Sequence, residues 1–569
     1  MTRLDQKRNP HEKALIAALL IFAALFSISP LFNPFYLKYQ HDLSFHLSRI
    51  EGIAQGLRDR QLPVRYNSYF LNGFGYGDAT MYPPLCLYFP ALLRLAGIPA
   101  VIAYEAYAAL VAVATAFVAY FAFSRLFGYV LSPEERSKSR VYGLLAACVY
   151  TLGFWRVVNV LLRGAVGEYT AMGFFPLVLL GMYAIVFQDK TETKRGVLYL
   201  LIAFSGIANC HLLSLVTVGT VCAVFLLVNI KRLLKAPYKI AALCVTAGLF
   251  LLLNAWVIVP MLVTSREINM YISSPHIGNL LGYALYPNEL WQIFYNNFYG
   301  LAEQLDSVLE PMPMSLGPLP FVAIGVFIYR RAVKSRESAA LLVSRRFETG
   351  IFIALTLTLL VTTVLFPWGA VSYIPLLGGF IGKIQFPWRY LSIAAVFAAV
   401  FIPAVFFTEK NRGRTFAAVL IAAFAILLPY HSLYASYDAT FVKLGENAAG
   451  SSIGGGEYLP RGSHATAWYF EQDKSDYPLV DGATYTFAQL YYPGLYSTSG
   501  TLSANDIGLC VVTAAPGEPV PEIKYRAPAS YRVSEAVSVV TAAGLLVCLL
   551  RRKNNLLPPQ DSTNDAARG

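Results

Sequence analysis

The segment Tyr39-Gln40-His41-Asp42-Leu43-Ser44-Phe45-His46-Leu47-Ser48-Arg49 sets a carboxylate, an imidazole and a guanidinium at intervals of four and three residues. Read as a helix, that spacing puts Asp42, His46 and Arg49 on one face, while Leu43, Phe45, Leu47 and Ile50 spread over much of the rest. A carboxylate beside an imidazole can take a proton from a hydroxyl or hold a divalent cation, and a guanidinium matches a pair of phosphate oxygens. The same residue types recur along the chain. Asp78 ends the glycine-rich run Asn72-Gly73-Phe74-Gly75-Tyr76-Gly77-Asp78, and Tyr82 opens Tyr82-Pro83-Pro84. Arg163 precedes Glu168, His211 closes Asn209-Cys210-His211, and Gln385 and Arg389 flank Phe386-Pro387-Trp388. Each has a plainer reading: a polar helix face meeting lipid headgroups, an ordinary glycine turn, Arg163 and Glu168 pairing with each other, a structural histidine, or an arginine snorkelling to the interface.

These groups can cooperate only if the elements that carry them bring them to one side. The chain has 569 residues, 56% hydrophobic and 14% charged, with a mean hydropathy of +0.51. Soluble domains average roughly 25% charged residues, so a chain this poor in charge cannot cover its own apolar surface in water. Composition predicts a polytopic α-helical membrane protein and excludes disorder, collagen-like repeats and a disulfide-stapled secreted scaffold. Apolar runs near the ~20 residues that a transmembrane helix needs occupy 14–32, 101–123, 141–158, 169–187, 240–263, 351–366, 390–407 and 534–550. Residues 196–230 are too long for one helix and should break near Asn209-Cys210-His211 into two, while 318–329 and 416–430 are shorter apolar segments beside basic loops. About twelve spans result.

Lysine and arginine in short loops are retained in the cytoplasm. Seven basic segments, at 1–13, 125–140, 190–195, 231–239, 330–346, 410–414 and 551–569, hold 28 of the 45 basic residues. Twelve spans place all seven on one side, so both termini are expected in the cytoplasm of a bacterial cell and the charge of +12 is a topological signal. That location removes nucleic acid as a partner. On the same reading Asp42, His46, Asp78, Tyr82, Arg163, Glu168, His211, Gln385 and Arg389 all reach the outer face, and Glu105, Arg156 and Glu535 lie at outer span ends.

The expected organisation is a membrane domain over 1–430 with a long first outer loop at 33–99, an extracytoplasmic β-rich domain over 431–533, a last span at 534–550 and a basic tail at 551–569. Runs at 464–470, 484–492, 507–513 and 522–525 alternate aromatic or β-branched residues with turn formers, which predicts strands. The outer domain holds the single cysteine Cys510, and the other six lie in or near apolar segments where inert packing is expected.

The order of Asp42, His46, Arg49, Tyr82-Pro83-Pro84, Arg163 with Glu168, Asn209-Cys210-His211, Gln385-Phe386-Pro387-Trp388-Arg389, Glu457-Tyr458-Leu459-Pro460 and Tyr491-Tyr492-Pro493-Gly494 resembles the bacterial membrane proteins termed 6-pyruvoyl-tetrahydropterin synthase-related, neighbours of the YfhO-like family. Those in turn resemble the GT-C superfamily of polytopic glycosyltransferases. The resemblance implies a GT-C-like membrane domain and transfer of a sugar from a polyprenyl-phosphate donor to an envelope glycan or protein on the outer face. Asp42 matches the acid of the first outer loop, as general base or as ligand of Mg or Mn; His46 assists it, and Arg163 and Arg389 hold the donor phosphate. The second adjacent acid of some branches is absent, since the neighbours of Asp42 are His41 and Leu43. Pterin chemistry is not implied, for lack of a histidine cluster on soluble strands. A transporter or flippase of a lipid-linked glycan and a non-catalytic envelope assembly protein are the alternative expectations.

Overall fold

Long apolar runs leave a backbone in lipid one local way to satisfy its amides, the α-helix. The computed structural model describes residues 10–32, 41–273, 280–292, 313–333, 343–375, 384–406, 423, 426–427, 453–463, 474–515 and 518–554. Its first helices are α1 (Pro10–Ser27), α2 (Leu43–Arg58), α3 (Ala100–Val130) and α4 (Ser139–Thr151). Then come α5 (Phe154–Leu161), α6 (Val166–Met172), α7 (Phe175–Phe187), α8 (Lys190–Ala208) and α9 (Leu212–Val228). Further along come α10 (Pro237–Leu253), α11 (Ala255–Glu267), α12 (Leu319–Val333), α13 (Arg345–Thr362), α14 (Leu391–Phe406) and α15 (Ala529–Asn554), beside shorter helices such as Tyr88–Leu95.

Among the described residues six helical stretches are long and apolar enough to cross a membrane: Pro10–Ser27, Ala100–Val130, Arg136–Leu161, Val166–Phe187, Pro387–Phe406 and Ala529–Arg551. A seventh results if α10 and α11 count as one span. The chain is a helical membrane protein. Of the other segments expected to cross, 196–230 forms α8 and α9 with the expected break at 209–211, all but the first residue of 318–329 lies in α12, and 351–362 of the run 351–366 lies in α13. Most of 416–430 lies outside the described residues.

One expectation changes. Residues 240–263 read as one continuous span, but α10 and α11 meet at 69° around Asn254. The Asn254 side chain is buried and accepts from Asn209 Nδ2 at 2.7 Å while donating to Ser205 Oγ at 2.9 Å, which fixes a polar corner between apolar helices. Arg156, expected near a span end, lies close to the end of the stretch Arg136–Leu161. A break after α4 puts it in the short α5, where it is fully buried, donates to Tyr169 O and Thr115 Oγ1 at 3.0 and 2.8 Å, and stacks 4.1 Å from the Tyr169 ring.

Small side chains let the central helices close on one another, as is common in membrane bundles. Ala108, Ala112, Ala116, Ala119 and Ala122 form a buried stripe on α3, which packs along α4. A Cβ on Gly143 of α4 would stand 2.6 Å from the Ser124 backbone, so only glycine permits this approach.

The C-terminal region forms a four-stranded antiparallel sheet in the order β1-β2-β5-β4, from β1 (Leu479–Asp481), β2 (Thr484–Leu490), β4 (Thr501–Ala504) and β5 (Leu509–Thr513). A second ribbon pairs β3 (Leu495–Ser497) with β6 (Ile523–Tyr525). β2, β5 and β6 coincide with the strands expected from sequence, whereas the run at 464–470 lies outside the described residues. This sheet shares one core with the first loop: Phe70, Phe74 and Tyr76 pack with Leu459, Leu490, Tyr492 and Leu509. The cluster also includes Phe45 of α2, so the C-terminal region is seated directly on the helix that carries His46 and Arg49. Arg65 fastens the last helix to the same loop through Glu535 at 3.3 Å and the Trp256 carbonyl at 2.6 Å.

Candidate functional site

The site grows from Glu168, in the first turn of α6, where the free backbone amides favour an acid. Its Oε2 accepts from Arg163 at 2.7 Å and from Arg389 at 3.4 Å, and its Oε1 accepts from Ser392 at 2.7 Å. All four residues are buried. Arg163 also donates to Asn159 Oδ1 and lies 4.5 Å from the Trp388 ring, while Trp155 Nε1 donates to Ser392 at 2.8 Å. Two guanidiniums therefore share one carboxylate, inside an aromatic wall that keeps the local dielectric low.

Arg389 enters just before α14, in a 3-10 turn with Pro387 at its start. Its second terminal nitrogen donates to Gln385 at 3.0 Å. Gln385 has φ of +65°, and Phe386 N–H donates across it to Ile384 O at 2.8 Å, which makes a tight γ-turn. A non-glycine residue in this region is strained by on the order of 1 kcal/mol or more, and the bond to Arg389 holds it there. Arg389 Nε has no partner among the described residues.

His211 stands in the turn before α9, with Nε2 3.2 Å from Arg389. Nε2 faces a guanidinium that can only donate, while Nδ1 accepts from Ser214 N–H at 3.2 Å, capping α9, and lies 2.8 Å from Ser214 Oγ. Burial, with Arg389 adding to it, pushes the imidazole down to about 3. Burial thus favours the neutral imidazole near pH 7.

A second buried group faces the first. Arg49 Nε donates to Asp78 Oδ2 at 2.8 Å, and its Nη2 donates to Tyr82 O at 2.7 Å. Asn67 Nδ2 supplies the other Asp78 oxygen at 2.6 Å. Burial raises the Asp78 carboxyl, opposed by Arg49. The glycine loop makes this possible: Gly75 has φ of +85°, and a Cβ there would fall 1.7 Å from Tyr66 Oη. Tyr82 bridges the groups. Its ring lies 4.1 Å from the Arg49 guanidinium carbon, with ring centroids 5.7 Å from His46 and 6.0 Å from His211. His46 is fully buried, its Nδ1 without a partner among the described residues, and burial lowers its imidazole well below the usual range, helped by Arg49 and His211.

Asp42 caps neither group. It precedes α2 without bonding the helix amides, its own N–H donates to Arg163 O at 2.8 Å, and its side chain is partly exposed. Its charge acts on Arg389, Tyr82 and Glu457.

The structure thus gathers Arg163, Glu168, His211, Gln385 and Arg389 in one bonded cluster, with Tyr82 and His46 against it and Asp42 at its edge. Asp78 is not free to meet a ligand, since both its oxygens serve Arg49 and Asn67. Sequence reading gave no role to Ser392, Trp155, Asn159 or Glu457. Ser392 lies one helical turn after Arg389 and was legible by that spacing. Glu457 stood in the motif Glu457-Tyr458-Leu459-Pro460 without a role, because it arrives from the C-terminal region: its loop is held by Ile272 N–H donating to Glu457 O at 2.9 Å and Tyr458 N–H donating to Tyr76 Oη at 3.1 Å. Burial, with Asp42 contributing, pushes the Glu457 carboxyl up.

A divalent metal does not suit this donor set. Glu168 and Asp78 have their oxygens engaged, which leaves Asp42 and Glu457, and among the described residues no group of three or more His, Cys, Asp or Glu side chains could hold an ion. Comparison with models of known families and with curated proteins finds no match to this chain.

Proposed function

We propose that the protein is a glycosyltransferase of the bacterial plasma membrane, moving a sugar from a polyprenyl-phosphate donor to an envelope acceptor at the outer face. The observation that supports this reading most is charge. Arg163 and Arg389 share the single carboxylate of Glu168, which leaves a buried positive surplus and an open donor at Arg389 Nε. A donor phosphate is the natural complement of such a group. Gln385 and His211 hold Arg389, and together with Tyr82 they border the place the sugar occupies. Asp78 acts through Arg49 and is a positioning residue.

In the transfer step the acceptor hydroxyl oxygen bonds to the anomeric carbon as the bond from that carbon to the phosphate oxygen breaks. The electron pair leaves with the lipid phosphate, stabilised by Arg389 and Arg163, and the hydroxyl proton passes to Asp42. His46 supports Asp42 from one turn along α2, and Glu457 closes the acceptor side. The test is transfer in membranes supplied with polyprenyl-phosphate hexoses. Asp42→Asn should lower it about 100-fold or more, the usual worth of a general base, and Arg389→Gln should weaken donor binding. Wild-type transfer by both variants would overturn the proposal.

A second reading, a transporter of lipid-linked glycans, is favoured by the corner at Asn254, because broken helices border transport paths in many carriers. It predicts movement of the lipid-linked sugar between leaflets with no sugar transfer, so both products are measured in the same vesicles.

A further inference from the structure

Five arginines are buried among the described residues, and four of them sit within ion-pair distance of a carboxylate. Arg49 pairs with Asp78, Arg65 with Glu535, and Arg163 and Arg389 with Glu168. Arg156 is the fifth, and no carboxylate among the described residues meets it. It lies in α5, inside a stretch that crosses the membrane, where an ionisable group is costly and usually functional. Arg163 and Arg156 reach adjacent residues of α6: the first bonds the Glu168 carboxylate at 2.7 Å, the second only the Tyr169 carbonyl at 3.0 Å. The other bond from Arg156 goes to Thr115 Oγ1 of α3 at 2.8 Å. Two of its five N–H donors are thereby used, both on neutral acceptors. The guanidinium carbon lies 4.1 Å from the Tyr169 ring and 6.0 Å from the Tyr150 ring, contacts that temper a buried positive charge without cancelling it.

Tyr169 adds a second open group. Its ring is the one Arg156 stacks on, the residue is buried, and its hydroxyl has no partner among the described residues. We propose that Arg156 and the Tyr169 hydroxyl together hold a small monovalent anion of the halide class, the counter-ion of Arg156. Both groups are donors, so what satisfies them must accept. Charge then sets the class: one surplus cation is balanced by one negative charge, which a water molecule does not supply. Size sets it too, because Thr115, Tyr150, Arg156 and Tyr169 are all buried, which suits a single atom better than a phosphate headgroup. Stacking and neutral hydrogen bonds are the competing account of Arg156, and that account leaves the Tyr169 hydroxyl without a task. Bound there, the anion joins α3, α5 and α6 through Thr115, Arg156 and Tyr169 and so seats the helix that carries Glu168. The proposal does not depend on the glycosyltransferase reading.

The experiment uses the purified full-length protein in detergent, with sodium gluconate replaced stepwise by sodium chloride at constant ionic strength and thermal unfolding followed by tryptophan fluorescence. The expected result is an unfolding midpoint that rises with chloride and saturates, as binding to the native state alone requires. Tyr169→Phe is the decisive variant. It keeps the ring on Arg156 and the carbonyl that Arg156 bonds, and removes only the hydroxyl. It should raise the chloride needed for half the effect about tenfold, the worth of one hydrogen bond to a charged group. Arg156→Gln should abolish the dependence on chloride. Arg389→Gln should keep it, which separates this site from the cations around Glu168. A midpoint that is the same in gluconate and chloride overturns the proposal. So does a chloride effect that Tyr169→Phe leaves unchanged, or one that Arg389→Gln removes. Should Arg156→Gln fail to fold, the Tyr169→Phe titration decides alone.

Discussion

Replacing Glu168 by Gln keeps the shape of the side chain and an acceptor for Ser392, but removes the one negative charge that Arg163 and Arg389 share. Two unit charges about 4 Å apart interact by about 4 kcal/mol at the effective dielectric of 20 that suits partly buried pairs. The Arg163 contact at 2.7 Å and the weaker Arg389 contact at 3.4 Å are both lost, and the mutual repulsion of the two cations is left uncompensated. Leaving a buried charge without its partner costs about 3 to 5 kcal/mol in other proteins, and the same range is expected here. The measurement is a denaturant titration in detergent micelles followed by tryptophan fluorescence, for which Trp155 and Trp388 beside the cluster are natural reporters. A Glu168→Gln, Arg163→Gln double variant removes one cation as well and should recover part of the loss. The cycle should give a coupling of about 1 to 3 kcal/mol, as residues in one ion-pair network do. Glu168→Gln within about 1 kcal/mol of wild type, or a double variant whose losses simply add, would refute the shared-carboxylate argument.

Asp78→Asn should destabilise the loop between α2 and α3 by about 3 kcal/mol, because Arg49 stays buried without its carboxylate; faster proteolysis near Arg58 and Arg60 reports it. Gly167→Ala should cost about 1 to 3 kcal/mol through overpacking, and adding Tyr82→Phe should restore part of it, since the Tyr82 hydroxyl is the nearest atom to the new methyl. Acid should weaken the fold. The His211 imidazole, pushed down to about 3 in the native protein, binds a proton readily once unfolded, where its ordinary value is about 6.5. Its share of stability is complete above about pH 6.5 and falls by about 1.4 kcal/mol per pH unit towards pH 3. His46 is shifted in the same direction and adds to the slope. His211→Gln should flatten the pH dependence of the unfolding midpoint, and an unchanged slope would argue against a buried neutral His211.

By itself the sequence determined the class of molecule and where its helices run. Those are local properties: apolar length decides whether a segment suits lipid, and period and proline decide whether it is a helix or a strand. Hence α3, α7, α14 and α15, the break at 209–211 and the strands β2, β5 and β6 were all legible. So was the helix after Asp42, because the spacing of Asp42, His46 and Arg49 carries its own geometry. The Arg163–Glu168 pair was legible from its spacing, and the tertiary structure alone decided which distant charges meet. Glu168 and Arg389 are separated by 221 positions, and nothing in either neighbourhood says that Arg389 will share a carboxylate with Arg163. Asp78 looked like a ligand group until Arg49 and Asn67 were found on its two oxygens, and the run 240–263 looked like one span until Asn209 and Ser205 turned Asn254 into a corner. In each case the cost of burying a polar group is met by a partner from elsewhere in the chain. Partner choice depends on how the helices and the C-terminal sheet close around it, which no local pattern encodes.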